Sequence, residues 1–359
     1  MNFILRYSLL INVLISSVLI SQDLKSSTNI KVLKKWSKEF ISGVSFPVIK
    51  NDNKLITPLL DGNIQILDFN TGQRINRYNL GKGPILEMSH FNSNLTFIMP
   101  FERKSLRTYN IDSEKYILKK KIKFSPKYSL QNKSDSLIFG NNYQIGSINK
   151  FDGEENWFVK FEIPLVSKPY ILNDQIIILN ENNEILILSF NNGEIISKSK
   201  INKEVLSKKL LRGLSLEKDD NLYVTSYLGN FFSFNLIENK TNWFIKLKNY
   251  IYVSPIFNGD NVFVCDASGK VFSLKASDGY LNWEFDTKLL INQDPMIIND
   301  ELMIITEVGK IFFLDQLKGI MLNSIEIDGR VIFVEKIDES KILVADDSKK
   351  ISLFEIKNN

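Results

Sequence analysis

Along most of the chain, apolar residues come in short runs, each broken by a polar stretch rich in Gly, Asn and Asp. Tyr252 to Thr287, YVSPIFNGDNVFVCDASGKVFSLKASDGYLNWEFDT, shows the pattern most clearly. It predicts four short antiparallel strands, Pro255 to Phe257, Val262 to Cys265, Val271 to Leu274 and Leu281 to Phe285, joined by turns at NGDN, DASGK and ASDGY. One such sheet alone leaves apolar faces and two edges bare, so it requires copies of itself on both sides.

Those copies are present. With Val271 as the anchor of the third strand, equivalent positions fall at Ile64, Leu106, Ile145, Ile185, Phe231, Ile311 and Ile351, at successive spacings of 42, 39, 40, 46, 40, 40 and 40. Eight residues after the anchor stands a turn glycine in Gly72, Gly153, Gly193, Gly279 and Gly319, replaced by Glu114 and Asn239 in two copies; twelve after it stand Trp157, Trp243 and Trp283. A period near 40 with four short strands per unit predicts an all-β fold, an eight-bladed β-propeller of four-stranded antiparallel blades.

The eighth copy ends at Phe354 to Asn359, where the others add a fourth strand. The missing strand is predicted at the other end of the chain, around NIKVLKKWSKEF, which holds the remaining tryptophan, Trp36. Pairing of this strand with the last one would close the ring and leave no blade incomplete. All four tryptophans would then occupy one structural position. A residue repeated around a ring cannot converge on one ligand, so the tryptophans are expected to be packing wedges, each worth about 3 to 5 kcal/mol on truncation to Ala.

The first residues differ in kind. Met1 to Arg6 is basic, Tyr7 to Ile20 is largely apolar, and Ser21, Gln22 and Asp23 end the run. This divides the chain into an export signal or N-terminal membrane anchor over 1–22, a short tether over 23–29 and the propeller over 30–359.

Charge and candidate chemistry narrow the function. Lys plus Arg of 45 against Asp plus Glu of 41 gives a formal +4, too little in so large a chain to point to nucleic acid. The lone cysteine, Cys265, lies in the apolar run VFVC and is expected to be buried and inert. His90 is the sole histidine, which excludes a His-based metal cluster and a Ser-His-Asp triad. The carboxylate pairs Glu154 with Glu155 and Asp219 with Asp220 sit in turns, where solvated loop residues are expected. No phosphate-binding loop, dinucleotide motif or Cys-x-x-Cys is present, so neither a cofactor nor catalysis is expected.

The spacing of 46 marks an insertion. Six extra residues fall within KINKEVLSKKLLRG, between the fourth and fifth blades, and are expected in a loop on a face of the ring, where function commonly resides.

The turns LDFNTGQ (Leu67 to Gln73) and LKASDGYLNW (Leu274 to Trp283) resemble the repeat of pyrroloquinoline-quinone-type propellers. The dehydrogenases of that group use adjacent cysteines and a calcium site, which this chain lacks. The stretch Leu211, Arg212, Gly213 and Ser215 makes the chain similar to the BamB family, propeller subunits of the outer-membrane β-barrel assembly machinery. That resemblance implies a non-catalytic scaffold on the periplasmic side of the outer membrane, held there through a partner or the N-terminal segment. It also implies that Leu211, Arg212, Gly213 and Ser215 help bind the periplasmic domains of the barrel subunit. Tyr250 and Tyr252 stand where that family has an acidic pair, and the family's lipid-anchored cysteine has no counterpart. The alternative from another class is a quinone- or sugar-binding propeller or enzyme, which requires polar residues converging on the central channel.

Overall fold

A computed structural model describes residues 30–45, 48–85, 87–201, 211–216 and 221–358, with only the backbone described for 87, 100, 129, 211–216 and 358. The export signal and tether expected over 1–29, the insertion residues 202–210 and the Asp219–Asp220 pair lie outside the described residues.

Eight sheets of four antiparallel strands form the ring, the first seven taken in chain order from an inner to an outer strand. Blades 1 to 7 span 49–79, 87–121, 128–160, 170–200, 211–246, 256–286 and 296–326. Blade 8 takes three strands from 331–358 and its outer strand from Ile30–Glu39. The unit read from Tyr252 to Thr287 forms the strands Ile256–Asn258, Asn261–Cys265, Lys270–Lys275 and Leu281–Asp286, within two residues of expectation.

Every anchor is the second residue of a third strand, and all eight are at most 1% exposed. A side chain there lies in the apolar packing between blades, and all eight positions are filled by Ile, Leu, Val or Phe. Between the third and fourth strands each blade carries a β-bulge. In blades 3, 5 and 6 the residue inside the bulge is Asn156, Asn242 or Asn282, and its amide donates to Ser147, Ser233 or Ser273 Oγ at 3.0, 3.1 and 3.3 Å. The tryptophan follows directly. Each indole lies on the turn glycine of the next blade and donates Nε1 to the carbonyl three residues before it: Trp36 to Phe69, Trp157 to Phe190, Trp243 to Ala276 and Trp283 to Gln316, at 2.8 to 2.9 Å.

Closure follows the expected route. Ile30 pairs with Asn358 and Glu39 with Lys350, and the bulge falls at Lys35, immediately before Trp36. Trp36 faces Leu353, two residues past the anchor Ile351, as Trp283 faces Ser273, two past Val271. The four tryptophans therefore share one position. This pairing also sets the polarity of the ring. The loops between blades and the turns joining second to third strands lie on one face, here the upper; Ile30, where the N-terminal segment enters, lies on the lower.

Candidate functional site

The insertion-bearing stretch was expected in a loop. Leu211–Leu216 instead forms the inner strand of blade 5, so Leu211, Arg212, Gly213 and Ser215 are strand residues. The reason is visible in the register: Leu211 pairs with Ser226, Gly213 with Thr225, and Ser215 with Tyr223, while Arg212 is the extra residue of a bulge and opposes nothing. Ser215 and Leu216 occupy the places that Ile256 and Phe257 occupy in blade 6, so the six added residues are shared between the link before Leu211, the bulge at Arg212 and the turn after Leu216. A bulge lets one residue leave the ladder without ending it, and such positions often re-aim a side chain.

Leu211 and Arg212 start their strand at the upper face, level with the turn at Tyr227. Around that turn the structure gathers residues the sequence did not bring together. Tyr227 stacks on Tyr250 with ring centroids 4.8 Å apart and lies 5.6 Å from Tyr252. Between and beyond them Ile251 and Val253 point inward and are buried, so the segment Tyr250 to Val253 alternates out and in. The alternation is fixed by backbone bonds, Ile251 N to Tyr227 O at 3.2 Å and Ala267 N to Tyr250 O at 2.8 Å. Tyr250 is 48% and Tyr252 37% exposed, enough to present aromatic surface while each ring keeps a packed side. Nearby, Lys246 donates to the Leu228 carbonyl, and burial holds its ammonium below the ordinary lysine value. Ser254 N is held by Asp294 Oδ1 at 2.7 Å, which fixes the loop behind Tyr252.

Sequence reasoning noted Tyr250 and Tyr252 but missed Tyr227. The available signal was the aromatic in the turn after the second strand of the same blade, one residue past the pairing partner of Leu211.

The groups weighed for chemistry take structural places. Cys265 is fully buried in the second strand of blade 6, and burial together with the neighbouring Asp266 and Asp294 pushes its thiol far above the ordinary value. A thiolate is the reactive form, so this sulfur is inert. His90 lies in the inner strand of blade 2; burial pushes its imidazole below the usual value, and its carbonyl accepts from Asn132 at 2.9 Å. Glu154 and Glu155 do not form an acid-base pair but bridge to blade 2, to Lys120 at 2.5 Å and Lys123 at 2.7 Å. Among the described residues, no three His, Cys, Asp or Glu side chains are grouped so as to hold a metal.

Eight bulged blades, wedged at four of their boundaries by tryptophan on glycine, with an aromatic cluster at the upper face of blade 5, define a repeat propeller of the pyrroloquinoline-quinone-like class. Residues 185–332 match the family model described as outer membrane protein assembly factor BamB. The chain is thus similar to BamB from the third strand of blade 4 through blade 7, the part that contains the Leu211 strand and the tyrosines. Among solved structures, BamB from Moraxella catarrhalis superposes with a TM-score of 0.73 at 14% identity, covering 90% of this chain and 100% of that one. The computationally designed Ika8 protein also gives 0.73, at 10% identity over 89% of this chain and 98% of its own. Sqt1 from Saccharomyces cerevisiae gives 0.73 at 12% identity, over 91% and 99%. Three proteins of such different origin share one score, so the superposition speaks for the fold. No curated protein sequence matches the chain.

Proposed function

We propose that this chain is a non-catalytic scaffold of the BamB type, acting on the periplasmic side of the outer membrane in the assembly of β-barrel proteins. The observation that carries the reading is the family match over 185–332, which brackets the upper face of blade 5. There the backbone of Leu211 to Gly213 lies beside the turn of Tyr227 and its partners Tyr250 and Tyr252. In this reading the periplasmic domains of the barrel subunit dock on that face. Arg212 supplies a planar donor fork from the bulge, Leu211 an apolar anchor, and the tyrosines a rigid surface with little side-chain entropy to lose. Neither redox chemistry nor a cofactor is part of this role. The N-terminal segment serves export and keeps the chain in the envelope, as a cleaved signal or a retained anchor.

The test is to isolate the tagged full-length chain from detergent-solubilised membranes and identify what co-purifies. Enrichment of the barrel subunit, lost in the Leu211→Ala/Arg212→Ala variant, is expected. A preparation in which the barrel subunit is no more abundant than in an untagged control removes the proposal.

A further inference from the structure

Charge is not spread evenly around the ring. Residues 99–127 hold nine Lys and Arg against three Asp and Glu, whereas the whole chain is only +4. The basic excess therefore belongs to blade 2 and the link leading from it, and the rest of the chain is slightly acidic.

The same blade departs from its neighbours in shape. Its turn between second and third strands runs over residues 99–104, two residues longer than the equivalent turns at 59–62, 266–269 and 306–309. The extra length forms a 3-10 turn, Pro100–Glu102, that carries Phe101 at the upper face, 83% exposed. Glu102 is engaged by Arg107 at 2.5 Å and Lys119 at 3.4 Å, which braces the turn and neutralises the one carboxylate in it. On the outer strand Lys115–Lys121, Leu118 and Lys120 lie against Gly153 of blade 3. Lys119 and Lys121 project from the opposite side of that strand. Together with Phe101, Arg103 and Lys104 they line an open depression of about 740 Å³.

We propose that this corner of blade 2 is a docking site for an acidic polypeptide segment, one that also carries an apolar side chain to pack on Phe101. The excess of cations supplies the complementarity, and the exposed ring supplies the area that charge alone does not. Lysines on outer strands commonly guard a sheet edge against pairing with neutral or basic strands. The outer strand of blade 8 has such lysines, at Lys31, Lys34, Lys35 and Lys38, yet among the described residues no exposed aromatic tip stands beside them. An anionic bilayer is the competing occupant, and the test sets vesicles against the peptide.

The proposal is independent of the docking face on blade 5. Its test uses the full-length chain and a fluorescein-labelled dodecapeptide of alternating Glu and Leu, followed by fluorescence anisotropy at low and moderate salt. Binding that weakens with salt is expected. The Lys104→Gln/Lys121→Gln variant should lose about fivefold in affinity, the loss of two exposed charge pairs. Phe101→Ser should lose a similar factor, while Lys34→Gln/Lys38→Gln on blade 8 should bind as the parent does. A peptide with Ser in place of Leu should lose the dependence on Phe101. Unchanged thermal unfolding of each variant shows that the ring is intact; where Phe101→Ser unfolds early, Phe101→Tyr, which keeps the ring, takes its place and should bind normally. No binding, equal loss in the blade 8 control, or preference for phosphatidylglycerol vesicles over the peptide would each overturn the assignment. Loss of peptide binding in the Leu211→Ala/Arg212→Ala variant would instead move the site to blade 5.

Discussion

The indole of Trp283 occupies the space that a side chain on Gly319 would need: a Cβ built on Gly319 would come within 2.4 Å of Trp283 Cδ2. The same holds for Trp36 on Gly72, Trp157 on Gly193 and Trp243 on Gly279, at 2.5 to 2.7 Å. Where the turn residue is not glycine, the preceding blade has no tryptophan: Glu114 follows Asn76 and Asn239 follows Ser197 at the equivalent positions. Each tryptophan thus requires the glycine across its blade boundary, whereas the glycine does not require the tryptophan: Gly153 lies against Leu118 and Lys120.

Gly319→Ala should therefore be far costlier than a surface substitution. The residue has φ of +67°, which an L side chain adopts only with strain, and the new methyl would also displace the indole. Together these should lower stability by about 2 to 4 kcal/mol, read from urea unfolding. A loss below about 0.5 kcal/mol would show that the indole moves aside freely.

The converse substitution is at Glu114, which holds φ of +53° with no indole above it. Glu114→Gly should raise stability by about 0.5 to 1 kcal/mol, because glycine relieves the left-handed conformation. The gain is reduced by the hydrogen bonds that Glu114 accepts from Asn76 and Tyr78 at 3.3 Å. A melting temperature below the parent's would mean that those bonds outweigh the backbone strain.

Glu301 gives the ring a pH dependence. Burial, with Asp315 paired across the strand and Asp300 beside it, pushes its carboxyl up from 4.5 to about 7. A group that binds its proton more tightly when folded contributes stability that is full below the unfolded pKa and fades as pH rises towards the folded one. Stability should thus decline between about pH 4.5 and 7 through this residue, and Glu301→Gln should flatten that decline. Parallel pH profiles for parent and variant would count against it.

At the upper face of blade 5, Leu211→Ala with Arg212→Ala should weaken binding of the barrel subunit's periplasmic domains by about 2 kcal/mol or more. Arg212 makes no ladder pair, so thermal unfolding should hardly move. A variant that unfolds early yet binds normally once folded would make the motif structural.

Most of the fold was legible because a propeller writes its geometry at fixed intervals: the anchor, the turn glycine and the tryptophan each recur wherever the same contact recurs. Even the exceptions obey the geometry, since Glu114 and Asn239 keep the positive φ of the glycines they replace. The site was less legible. Counting residues located the insertion but not which side of it belonged to the next strand, because the register of Leu211 is set by pairing with Ser226 and not by local sequence. Tyr227 and Tyr250 are joined only by the fold. The basic corner of blade 2 was hidden by a net charge summed over the whole chain.

Removing residues 30–40 should leave the last blade without its outer strand and Gly72 without its indole. Aggregation or loss of cooperative unfolding is expected. A soluble truncated chain with the parent's melting temperature would refute the closure.

That closure also sets an order in time. Ile30 can pair with Asn358 only after all eight blades have been synthesised, so the earliest strand to emerge waits longest for its partner. Contacts of such long sequence separation are slow to form. Blades 1 to 7 can stack as they appear, but the ring remains an open arc until its final residues arrive. The chain therefore has a built-in delay between growing and locking, set by the distance between its two ends.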